Sequence, residues 1–214
     1  MPKCAGSSVR MIIPRAYPDF LIKTDDISFF SIPKNIRKAH VMSSLESPLL
    51  VPERCIVMGH FSPVKYLGKA NQHRQSLFMF TFLRDPYDRL LSHYRYWRSG
   101  DFGNHYIWKK MRENNWSFQD FALSKEMRNL YCQYIEGISI SHFDFIGIHE
   151  ELDLSWKKLC SLTNACHVKL PMVNKTALNT AVQFDDSNEL RKKVRSFHDE
   201  DYKIYNEAVS RLHS

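Results

Sequence analysis

Apolar residues fall in short runs that alternate with amphipathic stretches along the chain. Three runs rich in Phe, Val or Ile, each followed by polar or turn-forming residues, predict buried strands: Cys55 to Met58, Leu77 to Leu83 and Phe143 to Ile148. Strands that read as nearly continuous apolar runs are typical of parallel sheets covered on both faces. The pattern therefore favours a parallel sheet with helices packed against it.

Helical spacing of apolar residues appears between and after these runs. From Pro86 to Trp97 the apolar positions recur on one face, and a proline suits a first helical turn because its missing N–H would have no partner there. Further helices are predicted at Ser117 to Leu123, Glu126 to Ile135 with Gly137 as its stop, Leu154 to Leu162, and Asp199 to Leu212. Alternating strands and helices indicate an α/β fold, with a mainly parallel central sheet flanked by helices.

The domain organisation is expected to be simple. The 214 residues contain no internal repeat, low-complexity stretch or Gly/Ser linker, which predicts a single domain over residues 1–214. No window approaches the roughly 18 consecutive apolar residues of a membrane span, and the first residues lack the apolar region of a secretory signal. As given, the chain is expected to be cytoplasmic and to have no membrane span.

The net charge of +7 predicts attraction to an anion such as a nucleotide, an acidic glycan, a nucleic acid or a membrane surface. The basic residues are scattered, and a short cluster of Arg191, Lys192, Lys193 and Arg195 is interpreted as a solvated helix face. No specific nucleic-acid partner is therefore expected.

Cysteine usage favours a reducing compartment, because five cysteines without framework spacing argue against a disulfide scaffold. They are Cys4, Cys55, Cys132, Cys160 and Cys166. Cys160, Cys166 and the following His167 offer metal-ligand types, but no second ligand pair accompanies them. Core and loop cysteines are the favoured interpretation, and no metal site is predicted.

The first residues combine a lysine, a glycine and two hydroxyls in the run Pro2-Lys3-Cys4-Ala5-Gly6-Ser7-Ser8-Val9. Such a loop, when it leads into a helix, can cradle a phosphate with backbone N–H groups, the helix dipole, hydroxyls and a lysine charge. It is not a Walker A loop, since Lys3 precedes Gly6 by three positions. Taken alone, the run also fits a plain N-terminal turn.

The segment from Phe80 to Tyr94 passes from a strand through a charged turn into a helix. Arg84 is at the carboxyl end of the strand, where open α/β sheets bind ligands, and its guanidinium can clamp a phosphate. Ser92, about two helical turns further on, offers a hydroxyl to the same anion. The alternative is that Arg84 pairs with Asp85 or Asp88 and caps the helix.

Together these two segments resemble the cofactor signature of sulfotransferases that use 3′-phosphoadenosine 5′-phosphosulfate (PAPS), particularly carbohydrate sulfotransferases, whose loop reads Pro-Lys-Cys-Ala-Gly-Thr-Ser. The resemblance implies a P-loop-like nucleotide-binding fold, with Arg84 and Ser92 at the 3′-phosphate of PAPS. It also implies a loop that binds the 5′-phosphosulfate and consists of Lys3, Cys4, Ala5, Gly6, Ser7 and Ser8. Similar segments follow in matching order at 143–151, 173–176 and 201–205, so the resemblance covers nearly the whole chain.

His60 is the candidate general base. An acceptor hydroxyl must lose its proton as the new S–O bond forms, and a neutral imidazole with an ordinary pKa of about 6.5 suits this role. The pair Gly59-His60 resembles the base-bearing motif of uronyl and related glycan sulfotransferases. The alternatives are that His60 is a hydrogen-bonded structural residue, or that His40, His93 or His105 is the base.

The resemblance implies in-line transfer of a sulfuryl group from PAPS to a hydroxyl, expected to be on a carbohydrate, with 3′-phosphoadenosine 5′-phosphate (PAP) as product. Lys3 would stabilise charge on the departing oxygen, and no metal is required. An acceptor groove is expected to include Arg10, Lys65, Arg95 and Trp97. A P-loop small-molecule kinase and a non-catalytic module that binds nucleotide or acidic polysaccharide stay open as alternatives.

The start of the chain departs from the family pattern. In the family the phosphosulfate loop follows a central strand, whereas here only Met1 and Pro2 precede Lys3. The first strand is therefore expected to be missing, which would expose two strand edges and predicts weak cofactor binding and self-association. A membrane-anchored or Golgi origin fits if a segment precedes Met1.

Overall fold

The computed structural model describes residues 1–27, 34–67, 77–103, 105–166, 168–170 and 186–214. Strands are formed by β1 (Leu21–Thr24), β2 (Cys55–Met58), β3 (Phe80–Leu83) and β4 (Phe145–Ile148). Helices are formed by α1 (Gly6–Ala16), α2 (Lys34–Glu46), α3 (Pro86–Ser99), α4 (Tyr106–Glu113), α5 (Phe118–Ala122), α6 (Leu130–Tyr134), α7 (Leu152–Thr163), α8 (Asn188–Phe197) and α9 (Asp199–His213). The chain therefore mixes helices and strands in alternation, as the hydrophobic pattern predicts.

The strands form two parallel pairs. β1 pairs with β2 in a register that aligns Leu21 with Cys55, and β3 pairs with β4 in a register that aligns Phe80 with Phe145. Within the residues that the structure describes, the two pairs are not hydrogen-bonded to each other. The predicted parallel direction is confirmed, whereas the described residues form two two-stranded sheets and do not show the expected central sheet.

A cavity of about 630 Å³ lies between the two pairs. Its lining includes β2, the first three residues of β3 and, at one end, the start of α1. β2 and β3 each have a single strand partner in the described part of the chain. Met1 to Ala5 form a turn, and the first described strand, β1, follows α1.

Local sequence explains why α3 begins directly after β3. Asp85 caps the helix, because its Oδ1 accepts hydrogen bonds from the backbone N–H groups of Tyr87, at 2.9 Å, and Asp88, at 3.1 Å. Pro86 occupies the first turn, as its fixed φ favours. The alternative in which Arg84 caps this helix is wrong, because Asp85 alone provides the side-chain cap.

Two predicted elements are shorter in the structure. The helix expected from Glu126 begins at Leu130, because Asn129 adopts a left-handed conformation with a φ of 50°, which interrupts the helical path. The run from Leu77 forms a strand only from Phe80 onward.

In α8 the basic cluster is exposed while Leu190 and Val194 are buried, which confirms the solvated helix face.

Two buried clusters support the site. The first contains α1, β3, β4 and α7, and the second contains α3, α4, α5 and α8. A buried ion pair joins α3 to α9, with Arg89 Nη2 3.7 Å from Asp201 Oδ2 and both side chains fully buried. All five cysteines are free thiols, and Cys4 and Cys160 are buried in the first cluster.

Candidate active site

The predicted phosphosulfate loop is a tight turn that ends at the first residue of α1. Lys3 and Ala5 have positive φ values of 62° and 69°, and Ala5 is the N-cap of α1 without a side-chain hydrogen bond. The first turn of α1 contains no acidic residue, so the positive end of the helix dipole is not offset there. Gly6 and Ser7 are exposed, whereas Ser8 is buried. The loop therefore presents backbone donors beside a lysine, the arrangement that binds anions.

Arg84 lies at the end of β3 and is half-buried. Its Nε is buried without a hydrogen-bond partner, and within the described part of the chain no carboxylate forms an ion pair with its guanidinium. The expected alternative pairing with Asp85 or Asp88 is therefore not formed. Ser92 is half-buried on α3, and its hydroxyl makes no hydrogen bond to another described residue.

Lys3 and Arg84 are electrostatic neighbours. Burial lowers the pKa of the Lys3 ammonium, and the positive charge of Arg84 lowers it further. The ammonium rests 4.0 Å from the centroid of the Tyr96 ring, a cation–π contact. Two cations from distant segments thus repel each other, and within the described part of the chain no carboxylate forms an ion pair with either of them, so bound anionic groups would relieve their repulsion.

His60 lies against the start of α1. A β-carbon built on Gly6 would be 3.7 Å from His60 Cε1, and His60 shares the lining of the cavity with Gly6 and Ser7. The His60 backbone N–H donates to Asp26 Oδ1 at 3.0 Å, while its Nδ1 is buried without a partner. The structure therefore brings His60 to the predicted loop.

Burial lowers the pKa of His60 to about 4, and the positive charges of the Met1 amine, Arg10 and Lys3 add to this effect while Asp26 opposes it. At pH 7 the imidazole is neutral and retains a free lone pair. This is the protonation state that a general base requires.

The three alternative histidines are placed differently. His93 is buried with its ring centroid 4.2 Å from that of Trp97, and burial lowers its pKa well below the ordinary value. His105 is the N-cap of α4 and also contacts the Trp97 ring. His40 is exposed on α2. Among the described residues, His60 alone of these four histidines lines the cavity beside the loop.

The expected acceptor groove is only partly supported. Trp97 is buried in the second cluster, and Lys65 donates to Asp25 Oδ2 at 2.5 Å, so neither is available to an acceptor. Arg10 lines the cavity and pairs with Asp26 at 3.1 Å, and Arg95 is half-buried on α3. Including Trp97 and Lys65 in this groove is therefore wrong, because both are largely buried, whereas the side chain of the paired Arg10 is 46% exposed.

Several contacts around Arg84 were not predicted from the sequence. Tyr131 hydrogen-bonds to the backbone of Arg84, and Glu150 accepts from the Asp85 N–H and from the Tyr205 hydroxyl, each at 3.0 Å. Glu150 and Tyr205 belong to the segments 143–151 and 201–205. The third such segment, 173–176, and His167 lie outside the described residues.

Among the described residues, no group of three or more His, Cys, Asp or Glu side chains is arranged to hold a metal ion. None of the helices in this part of the chain combines the length and the apolar character needed to cross a membrane.

Comparison with known proteins identifies the family of the chain. No curated protein and no solved structure matches the chain. A sequence model described as the sulfotransferase family matches residues 2–206, which include the loop, His60, the Arg84 segment and about half of α9. On this match, the chain belongs to the sulfotransferase family.

Proposed function

We propose that this protein transfers a sulfuryl group from PAPS to a hydroxyl of a carbohydrate acceptor. The observation that carries the proposal is that Lys3, which precedes the uncapped start of α1, and Arg84, at the end of β3, form no ion pair with any carboxylate of the described residues. PAPS has two separated anionic groups, the 5′-phosphosulfate and the 3′-phosphate, and the chain offers one cation for each. The orphaned Nε of Arg84 fits a phosphate oxygen.

In the proposed site the phosphosulfate contacts the loop residues Lys3 to Ser8, and the 3′-phosphate contacts Arg84 and Ser92. His60 removes the proton from the acceptor hydroxyl as that oxygen bonds to sulfur. Lys3 and the N–H groups at the start of α1 stabilise the charge that develops on the oxygen bridging sulfur and the 5′-phosphate, as its bond to sulfur breaks and PAP is released. No metal is needed in this scheme, because the leaving group is a phosphate of low basicity.

The pKa of His60 in the protein without bound nucleotide is consistent with donor binding before proton removal. Its low pKa has two causes that an anion would weaken, namely the neighbouring charges of Lys3 and Arg10. A bound phosphosulfate would offset these charges, so the imidazole would become a stronger base when the donor is in place.

We also propose that residues 1–214 form one domain with a P-loop-like nucleotide-binding fold. The two parallel pairs would then be parts of one sheet that is interrupted between β2 and β3. Support comes from the cavity that both pairs line and from the apolar side chains facing it, including Ile56, Met58 and Phe82.

A thermal-shift titration with PAP, AMP and ATP tests the cofactor assignment. At about a hundredfold excess over Kd, one-site binding should add about 2.7 kcal/mol to the free energy of unfolding. A shift with PAP that exceeds those with AMP and ATP is expected. A larger shift with ATP would favour the kinase alternative, and no shift with any nucleotide would contradict the proposal.

Transfer is tested by incubating the protein with PAPS and a set of neutral and acidic glycans, with mass spectrometry to detect sulfated product. Lys3→Ala should lower the rate by about a hundredfold to a thousandfold, as expected for loss of one group that stabilises the transition state. His60→Ala should lower it by about a hundredfold or more. Lys192→Ala, which removes an exposed cation of α8, is the matched control and should leave the rate unchanged.

Selective binding of PAP without transfer to any acceptor would favour the non-catalytic module. Full activity of His60→Ala would exclude His60 as the base.

A further inference from the structure

The hydroxyl of Tyr131 connects the two segments that the proposed function assigns to PAPS. Tyr131 lies on α6 and is fully buried. Its hydroxyl donates to the Arg84 carbonyl oxygen at 2.5 Å and accepts from the Arg84 N–H at 3.1 Å. The same oxygen is 3.6 Å from Cys4 Sγ. One phenol thus contacts both the residue at the end of β3 and the centre of the loop.

Each contact restrains a neighbouring part of the proposed site. Cys4 is 1% exposed, and its single S–H donates to the Pro2 carbonyl oxygen at 3.3 Å, so its approach to the phenol oxygen is a packing contact. The thiol thus faces the interior while the adjacent Lys3 and Ala5 adopt left-handed conformations. At Arg84 both backbone polar groups are taken by the phenol, which fixes the point from which the guanidinium projects.

Tyr131 is itself held firmly. Its backbone N–H donates to Asp201 Oδ1 at 2.9 Å, and Asp201 pairs with Arg89. The Arg89 guanidinium lies 5.2 Å from the centroid of the Tyr131 ring. The ring is therefore restrained from both its backbone and its face, by side chains from α3 and α9.

We propose that Tyr131 is a positioning residue that sets the separation between the phosphosulfate loop and Arg84, so that one PAPS molecule reaches both. The inference rests on the proposed function and goes beyond it, because Tyr131 need not touch the nucleotide. Its hydroxyl acts through Cys4 on one side and through the Arg84 backbone on the other.

The test compares the affinities of the folded protein for PAP and AMP, which differ only in the 3′-phosphate, by calorimetry. Tyr131→Phe keeps the ring and removes the hydroxyl, so Arg84 should lose its fixed position. The ratio of the AMP Kd to the PAP Kd should fall about tenfold or more, since displacements near 1 Å can cost about a hundredfold in such sites. Affinity for AMP should change much less than affinity for PAP.

Tyr94→Phe is the matched control. Tyr94 is also buried, and although it is the last residue of the Arg84 segment, its hydroxyl donates to the Trp116 carbonyl oxygen at 3.0 Å and forms no hydrogen bond with Cys4 or Arg84. This variant loses a comparable buried hydrogen bond but should keep the preference for PAP. A loss of preference in both variants would indicate general loosening and would overturn the inference.

These measurements distinguish a failure of the proposed function from a failure of the role proposed for Tyr131. If the unmodified protein does not prefer PAP over AMP, the proposed function fails. If it does, and folded Tyr131→Phe keeps the full preference, the inference is overturned. Should Tyr131→Phe not fold, Cys4→Ala removes the other end of the bridge, and an unchanged preference in that variant would likewise overturn it.

Discussion

Among single residues, His60 shows clearly how burial lowers the pKa of a side chain. Burial and the cations around it lower its pKa to about 4. We expect the His60 ring to titrate near pH 4 in the free protein and at a higher pH when PAP adds negative charge beside it. NMR of the ring resonances, assigned by comparison with His60→Gln, measures both values.

Exposed His213, on the last turn of α9, serves as the internal control, because its resonances should not respond to PAP. Titration of His60 near its ordinary value of about 6.5 in the free protein would contradict the burial argument. A His60 pKa that stays the same when PAP is saturating would contradict the expected effect of the added negative charge.

At the scale of elements, the end of β2 depends on a close approach to the end of β1. A β-carbon on Gly59 would lie 1.8 Å from the Asp25 carbonyl oxygen and 2.9 Å from Asp26 Oδ1. Gly59→Ala must therefore displace the backbone that carries His60. We expect it to cost more than about 2 kcal/mol in the free energy of unfolding and to lower sulfuryl transfer.

Gly103→Ala is the comparison, because a β-carbon there meets no atom within 4 Å and only the φ of 55° opposes the change, at about 1 kcal/mol. Urea unfolding of both variants gives the stabilities. Equal losses would show that the turn after β2 tolerates a side chain, contrary to the geometry.

Some helices and strands can be predicted from local sequence patterns, and others cannot. Helix α3 was predictable because its cap, Asp85, and its first-turn proline, Pro86, are sequence neighbours. Strand β1 was not predictable, because Leu21 is 55% exposed and the strand has no continuous apolar run. Its strand conformation depends on hydrogen-bonded pairing with β2. The start of α6 likewise depends on the conformation of Asn129, which no periodicity reveals.

At the scale of the whole molecule, buried titratable groups make stability depend on pH. Burial lowers the pKa values of His60 and His198 to about 4 and lowers that of His93 strongly. Since the unfolded chain binds these protons near pH 6.5, the unfolded state holds more protons below that pH, and stability should fall as pH drops toward 4.

Asp201 has the opposite effect. Burial raises its pKa from 3.8 to about 6 although Arg89 lowers it, so the folded state holds the extra proton and stability from this group is lost as pH rises through that window. Burial also lowers the pKa values of His105 and His149 and raises that of Asp85. Because more histidines than carboxyls are shifted in this way, we expect lower urea midpoints at about pH 4.5 than at about pH 6.5. A His198→Gln variant should show a smaller difference, and a midpoint that rises toward acid would contradict the expectation.

Local features formed by neighbouring residues could be predicted from the sequence. The loop from Pro2 to Ser8, the strand end at Arg84 and the start of α3 were predictable because the residues that form each feature lie within a few positions of one another. Tertiary structure alone decided which of these features meet. Tyr131 joins the loop to Arg84, and packing removes Trp97 from any acceptor surface, because burial and contacts between distant segments arise only when the chain is folded.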